Sequence, residues 1–397
     1  MLTLDKVYHA SYVLKEAIRE TDIIYAPKIK PGAEVYLKTE NLQVTGSFKV
    51  RGAYYKISQL SEEEKKKGVI ACSAGNHAQG VALAARKNGI KSLICLPDGA
   101  PISKVEATRS YGADICLVQG VYDDAYNKAI QLKDEKGYTF IHPFNDPDVI
   151  AGQGTIGLEI INQIDNIDAV VVPIGGGGLI AGVAFAVKSL KPSVKVYGVQ
   201  ASGAPSMEKS FKEHKIVKLD SVHTIADGIA VKEPGDLTFD LISKYVDDIV
   251  TVNDDEISAA ILALIEQHKM VAEGAGAVSV AATMFGKIPT DGKKVCCLVS
   301  GGNIDVTILS RVIKRGLQMS GRNYLVTLEL VDKPGQLTQV SNIISNLGGN
   351  VISIHHERSN EGSDVNGCFL RIQIETRNFE HIKEIEKELT KAGFKII

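Results

Sequence analysis

The sequence lacks the marks of a chain that works on nucleic acid or inside a membrane. Its 45 Lys and Arg and 47 Asp and Glu leave a formal charge of -2. The two signs are mixed, with no long basic run to meet phosphate backbones or anionic lipid. No apolar stretch approaches the roughly 20 residues that a bilayer-crossing helix needs. Met1 to Tyr12 carries polar residues throughout and holds no signal-peptide core, so the expected compartment is the cytoplasm. Metal-ligand spacing is also missing. Cys72, Cys95, Cys116, Cys296, Cys297 and Cys368 lie mostly in apolar, strand-like runs. They read as reduced, buried thiols, and no metal site is expected. Among nine histidines only His355 and His356 are adjacent, and on a strand they point to opposite faces. There is no low-complexity segment, no short-period repeat and no G-x-x-x-x-G-K-[ST] nucleotide loop.

With 397 residues and 44% hydrophobic composition the chain can bury sizeable cores in two or three domains. From about residue 35 to 315, short aliphatic runs alternate with amphipathic helical stretches. The runs are 68–73, 92–96, 114–118, 169–173, 195–199 and 294–299. The helical stretches are 47–59, 76–88, 102–111, 122–135, 156–163, 179–190 and 254–268. Alternation of this kind predicts βαβ units, and the continuous apolar character of the strands predicts parallel sheets covered on both faces. After the polar segment 318–323 the character changes. Strands are expected over 324–331, 350–359, 368–376 and 394–397, helices over 335–347 and 379–392, and a polar turn over 360–366. The order βαββαβ is the ferredoxin-like arrangement, so a separate domain is placed at 323–397.

Four segments carry chemistry. Gly175-Gly176-Gly177-Gly178 joins an apolar strand to a helical pattern. Backbone N–H groups there can converge on an anion, with the positive helix end behind them, which reads as a phosphate cup. Thr45-Gly46-Ser47-Phe48-Lys49-Val50-Arg51-Gly52 opens a helix. Its lysine, between apolar Phe48 and Val50, is expected to be partly desolvated and low in pKa, as an amine that attacks an aldehyde must be. Ser73-Ala74-Gly75-Asn76-His77 offers N–H groups and short polar side chains at a helix start, where a carboxylate binds. Ser300-Gly301-Gly302-Asn303 ends another apolar strand. In doubly wound sheets ligands sit at the carboxyl ends of strands, so one crevice would hold all four. A dinucleotide fingerprint can be forced onto Gly176, Gly178 and Ala181. It requires an acid at the end of the next strand, where Gln200-Ala201-Ser202 offers none.

Ser-Phe-Lys-x-Arg-Gly, Ser-Ala-Gly-Asn-His-Ala-Gln-Gly, Gly-Gly-Gly-Gly-Leu and Ser-Gly-Gly-Asn, in this order, resemble the threonine dehydratase (threonine ammonia-lyase) family. The resemblance covers roughly residues 5–315. It implies an α/β enzyme of fold-type II that uses pyridoxal 5′-phosphate (PLP), with a catalytic domain over 1–320 and a smaller subdomain inserted at about 50–155. Lys49 would carry the cofactor and act as the catalytic base. Phe48 would lie against its ring, Asn76 would bond its 3′-oxygen, and Ser300 would face its ring nitrogen. The backbone of Gly175, Gly176, Gly177, Gly178 and Leu179 would hold the phosphate. Ser73, Asn76 and His77 would receive the substrate carboxylate. The implied reaction is dehydration of L-threonine to an enamine, which water then hydrolyses to 2-oxobutanoate and ammonia, with some activity on L-serine. Serine racemases have a serine where Ala74 stands, so racemisation is disfavoured here. Relatives with a divalent metal have an acid near Gln200, which is neutral.

The segment Asp332-Lys333-Pro334-Gly335-Gln336-Leu337 resembles that of an ACT domain, a small-molecule sensor usually specific for amino acids. Asp332, Gly335, Gln336 and Leu337 would meet an amino-acid effector, and a homo-oligomer, dimer or tetramer, is expected. Neither nucleic acid nor membrane is an expected partner. The alternatives are an L-serine dehydratase or serine racemase on the same scaffold, and a catalytically silent amino-acid sensor.

Overall fold

The structure is a computed structural model that describes residues 2–358 and 367–397. It divides into two compact units, Met1–Val306 and Thr307–Ile397. Among the described residues, ten strands belong to the first: β1 Ile23–Tyr25, β2 Glu34–Lys38, β3 Val69–Cys72, β4 Ser92–Pro97, β5 Asp114–Val118, β6 Thr139–Phe140, β7 Ala169–Pro173, β8 Lys195–Ala201, β9 Asp248–Val252 and β10 Lys294–Leu298. Four belong to the second: β11 Asn323–Val331, β12 Asn350–Glu357, β13 Gly367–Glu375 and β14 Lys395–Ile396.

The first unit holds two sheets. The larger runs β1-β2-β10-β7-β8-β9 and is parallel except for β1. The smaller runs β5-β4-β3-β6, all parallel, and is formed by chain that leaves after β2 and returns before β7. Every residue of β3 and β7 is buried, as the continuous apolar runs predict for strands covered on both faces.

Helix Pro147–Gln163 shows why part of this pattern is hidden in sequence. Only 156–163 reads as helical, because Gly152 and Gly154 lower helix propensity before it. The structure begins the helix at Pro147, with Asp146 capping the N–H groups of Asp148 and Val149. The glycines sit where backbones touch. A Cβ on Gly152 would stand 2.7 Å from the Arg51 carbonyl oxygen, and one on Gly154 3.1 Å from that of Gly182. Close approach to helices Lys49–Ser58 and Gly178–Leu190 therefore outweighs local propensity.

In the second unit the antiparallel sheet β12-β13-β11-β14 is covered by helices Gln336–Asn346 and Phe379–Lys391, which is the ferredoxin-like arrangement. Its core includes Leu328, Val340, Ile344, Leu370, Ile372 and Leu389. Helix Val306–Met319 lies almost wholly in this unit. The polar turn expected over 360–366 lies outside the described residues.

Candidate active site

The end of β10 assembles the first part of the site. Phe48 N–H donates to the Ser300 carbonyl at 3.1 Å, Gly302 N–H donates to that of Gly46 at 2.9 Å, and Ser47 pairs with Gly301 in an isolated bridge. These bonds lay the lysine motif beside the Ser-Gly-Gly-Asn turn. Helix Lys49–Ser58 then starts at the lysine itself. Helix Asn76–Lys87 packs closely over it, and a Cβ on Gly80 would stand 3.1 Å from the Lys49 carbonyl carbon.

Lys49 is half-buried. Its Nζ donates to the Pro143 carbonyl at 2.9 Å and lies 5.3 Å from the centre of the Phe48 ring. Burial pushes the amine down to about 8, against the pull of Glu273 in the opposite direction. The neutral amine is therefore accessible near neutral pH, as the sequence suggests. Arg51 of the same motif faces away from this chemistry. It is fully buried, with Nε and Nη2 each 2.8 Å from Glu40 and Nη1 2.5 Å from Glu159. One guanidinium thus ties the lysine helix to buried Glu40 and half-buried Glu159.

The glycine loop follows β7. Gly177, at φ +98, caps helix Gly178–Leu190, whose first N–H groups have no intrahelical carbonyl to bind. A Cβ on Gly176 would run into the Phe144 ring, and one on Gly178 would stand 2.8 Å from the Phe144 Cα. Segment 142–145 therefore rests on the loop, while its Pro143 carbonyl receives the Lys49 amine. His142 shapes this segment. Its Nδ1 accepts the N–H groups of Phe144 at 3.2 Å and Asn145 at 2.8 Å. Burial, and then the Lys49 charge, lower it to about 4, so it stays neutral. No sequence motif singled out His142, although it sits in the run Ile141-His142-Pro143-Phe144-Asn145.

Asn76 begins its helix, and both ends of its amide are engaged. Nδ2 donates to Glu273 Oε1 at 2.7 Å, and Oδ1 accepts from Asn303 Nδ2 at 2.8 Å. His77 turns its ring inward, with Nε2 2.8 Å from the Ile141 carbonyl. Burial and the Lys49 charge lower it to about 3. Its backbone N–H lies in the first helical turn. Ser73 Oγ accepts from Gly75 N–H at 3.1 Å. Ser300 is buried, and its hydroxyl makes a single long bond, 3.4 Å, to the Ala275 carbonyl.

Glu273 is a residue that the sequence reading missed. It directly precedes helix Gly274–Met284, is buried, and is pushed up to about 7 by burial and by Asp227. The only signal was an acid alone among small residues, Ala272-Glu273-Gly274-Ala275-Gly276. Gln200, also fully buried, accepts the Glu208 N–H at 2.8 Å and donates to the Ile174 carbonyl at 3.4 Å.

The donor set fits a phosphorylated pyridine aldehyde. The glycine cup has no side chains, the Ser300 hydroxyl has capacity left, and Asn76 Nδ2 has one hydrogen beyond the bond to Glu273.

In the second unit, Gly335 at φ +92 opens helix Gln336–Asn346, Leu337 is exposed, and Asp332 pairs with Arg358 at 3.1 Å. Ligand atoms of Asp332, His356 and Cys368 lie within 4.8 Å of one another, with the Arg358 guanidinium already on the carboxylate.

Residues 14–301 match the family described as pyridoxal-phosphate dependent enzyme, and residues 324–390 match the ACT domain. The chain belongs to the pyridoxal-phosphate-dependent enzyme family and carries a C-terminal ACT domain. Its cofactor is pyridoxal phosphate, and its two parallel sheets are those of fold-type II. The chain is 49% identical to an L-threonine ammonia-lyase of Thermotoga maritima, over 100% of this chain and 99% of that one. Among solved structures it is similar to threonine deaminase isoform 2 of Solanum lycopersicum (40% identity, TM-score 0.74, covering 78% of this chain and 93% of that one). It is also similar to maize serine racemase (35% identity, TM-score 0.75, covering 80% and 98%).

Proposed function

We propose that the chain is a threonine ammonia-lyase that converts L-threonine to 2-oxobutanoate and ammonia, with some activity on L-serine. The observation that carries this reading is geometric: the Lys49 amine bonds the Pro143 carbonyl, next to the Phe144 that rests on the glycine cup, and its motif lies along the turn after β10. Full-length similarity to an L-threonine ammonia-lyase supports the choice of substrate.

Lys49 would hold the cofactor through its amine, and the backbone of Gly175, Gly176, Gly177, Gly178 and Leu179 would hold its phosphate. Phe48 would cover the ring, Asn76 would donate to the 3′-oxygen, and Ser300 would meet the ring nitrogen. The bound cofactor supplies an electron sink for the pair left behind when the substrate loses its α-proton. Lys49 would be the base that takes that proton, and an amine lowered to about 8 suits a base working at neutral pH. Ser300 is a hydroxyl and carries no charge that would fix a proton on the ring nitrogen, which favours expulsion of the β-hydroxyl over ring protonation. Ser73, Asn76 and the N–H of His77 would receive the substrate carboxylate at the start of their helix. Ala74 has no proton to deliver to the opposite face, so elimination outruns racemisation.

Residues 1–320 would form the catalytic domain, with the smaller subdomain at about 50–155, and residues 323–397 the regulatory one. A branched-chain amino acid would bind through Asp332, Gly335, Gln336 and Leu337 and change activity in a homo-oligomer. All six cysteines are free thiols, which suits the cytoplasm.

Incubating purified, PLP-loaded protein with L-threonine tests the assignment. The expected products are 2-oxobutanoate and ammonia. Faster racemisation than elimination of L-serine, with no turnover of threonine, would instead favour the racemase to which the chain is also similar.

A further inference from the structure

We propose that Glu273 and Asn303 are positioning residues that lock the Asn76 side chain with its amide nitrogen, rather than its oxygen, available to the cofactor. The proposal rests on the reading above that Asn76 meets the cofactor's 3′-oxygen.

The argument is one of donors and acceptors. An asparagine amide can usually turn over, because its two ends have nearly the same shape. Here a fixed end sets the whole chain. The Thr45 carbonyl can only accept, and it lies 2.7 Å from Asn303, which must therefore present Nδ2. That same nitrogen lies 2.8 Å from Asn76, so the facing Asn76 atom must be Oδ1. The Asn76 nitrogen is then left facing Glu273 Oε1 at 2.7 Å, and a carboxylate oxygen accepts that bond. The two short bonds of Asn303 Nδ2, to Thr45 and Asn76, use both its hydrogens, with Gln79 Oε1 farther off at 3.5 Å. Asn76 Nδ2 uses one on Glu273 and keeps one.

A second observation shows that the backbone makes room for this chain. A Cβ on Gly301 would run into Glu273 Oε1 and stand 3.2 Å from Asn76 Nδ2. Glu273 N–H donates to the Gly301 carbonyl at 3.1 Å, which ties the acid to the turn after β10. The turn Ser300–Asn303 therefore contributes a space at Gly301 and a donor at Asn303. Glu273 and Asn303 follow elements of the larger sheet's half, whereas Asn76 opens a helix that follows β3 of the smaller sheet. The lock thus fixes one half's ligand from the other.

A buried carboxylate is a costly way to hold an amide. The charged groups facing it are Asp227, which disfavours its ionisation, and Lys104 and Lys49, which favour it. A glutamine could serve as acceptor at the same place through its own oxygen. An alanine could not, and an aspartate at 303 could not donate to the Asn76 oxygen.

The test is a double-mutant cycle on the holoenzyme, read as the dissociation constant of PLP and as the visible absorption spectrum of the bound cofactor across pH. Asn76→Ala and Glu273→Ala are each expected to weaken PLP about tenfold and to move the midpoint of the spectral titration, as loss of a charge-assisted hydrogen bond does. Glu273→Ala is expected to add nothing further in the Asn76→Ala background, because it acts through Asn76. Glu273→Gln should restore affinity to within about threefold of wild type, while Asn303→Asp should imitate Glu273→Ala without removing bulk. If the Asn76 and Glu273 effects simply add, or if Glu273→Ala and Asn303→Asp bind PLP with the wild-type constant and spectrum, the lock is wrong and Asn76 keeps its place at the cofactor. If Asn76→Ala itself leaves both unchanged, the lock and the placement of Asn76 fall together. Should Glu273→Ala fail to fold, the Asn303→Asp pair of measurements decides alone.

Discussion

The amine of Lys49 offers a quantitative test that does not depend on turnover. An ordinary lysine titrates at 10.5, whereas burial brings this one to about 8. Burial disfavours the charged ammonium, so the sign is downward. At pH 7.5 about a quarter of Lys49 would be neutral, against about 0.1% for an ordinary lysine, a gain of roughly 200-fold in reactive amine. Competitive labelling of the PLP-free protein with a trace of acetic anhydride, read peptide by peptide by mass spectrometry, measures this directly. The Lys49 peptide should label with a midpoint near pH 8 and reach its plateau well before an ordinary lysine does. Glu273 is the charge that holds this amine up, so Glu273→Gln should move the midpoint further down. A Lys49 midpoint above 10, or an upward move in Glu273→Gln, would refute the reasoning.

Other outcomes follow from the same contacts. Arg51→Ala leaves Glu40 without the guanidinium that neutralises it, and should cost about 3–5 kcal/mol in urea denaturation. A loss below 1 kcal/mol would show that the buried cluster is not what pins the lysine helix. Gly176→Ala drives a Cβ into Phe144 and should weaken PLP binding at least tenfold; unchanged affinity would mean that the loop tolerates the shift. Glu273 has a folded pKa of about 7 against an ordinary 4.5. A raised carboxyl stabilises the protein fully below 4.5 and loses that contribution as pH rises to 7. The PLP-free wild type should therefore lose up to about 3 kcal/mol across that window relative to Glu273→Gln, and parallel stability curves would count against a buried acid. Deleting residues 323–397 should abolish any response to isoleucine or valine, and an unchanged response would exclude the ACT domain as their site.

What the sequence reveals of this architecture depends on how local its cause is. Strands such as β7 and β10 announce themselves as apolar runs ended by glycine or serine, and the four motifs at strand and helix boundaries are contiguous. Helix Gly274–Met284 is hidden because Gly-Ala-Gly-Ala-Val-Ser has weak helix propensity and no polar face to set a period; it is helical because it is buried from Gly274 to Thr283. Arg51 belongs to a visible motif, yet its role is not visible. Its partners Glu40 and Glu159 lie 11 and 108 positions away. Glu273 meets Asn76 across 197 positions, and nothing near it in the chain marks an acid that the fold will bury beside an amide. The ring of His77 is a converse case. Its place in a motif suggested a role toward the ligand, but the Ile141 carbonyl takes it inward.

Borohydride reduction of the PLP-loaded protein, followed by peptide mapping, tests the central claim most directly. A pyridoxyl group fixed on Lys49, with none in Lys49→Ala, is the predicted result. A label on another lysine, or none on protein that has bound PLP, would contradict it.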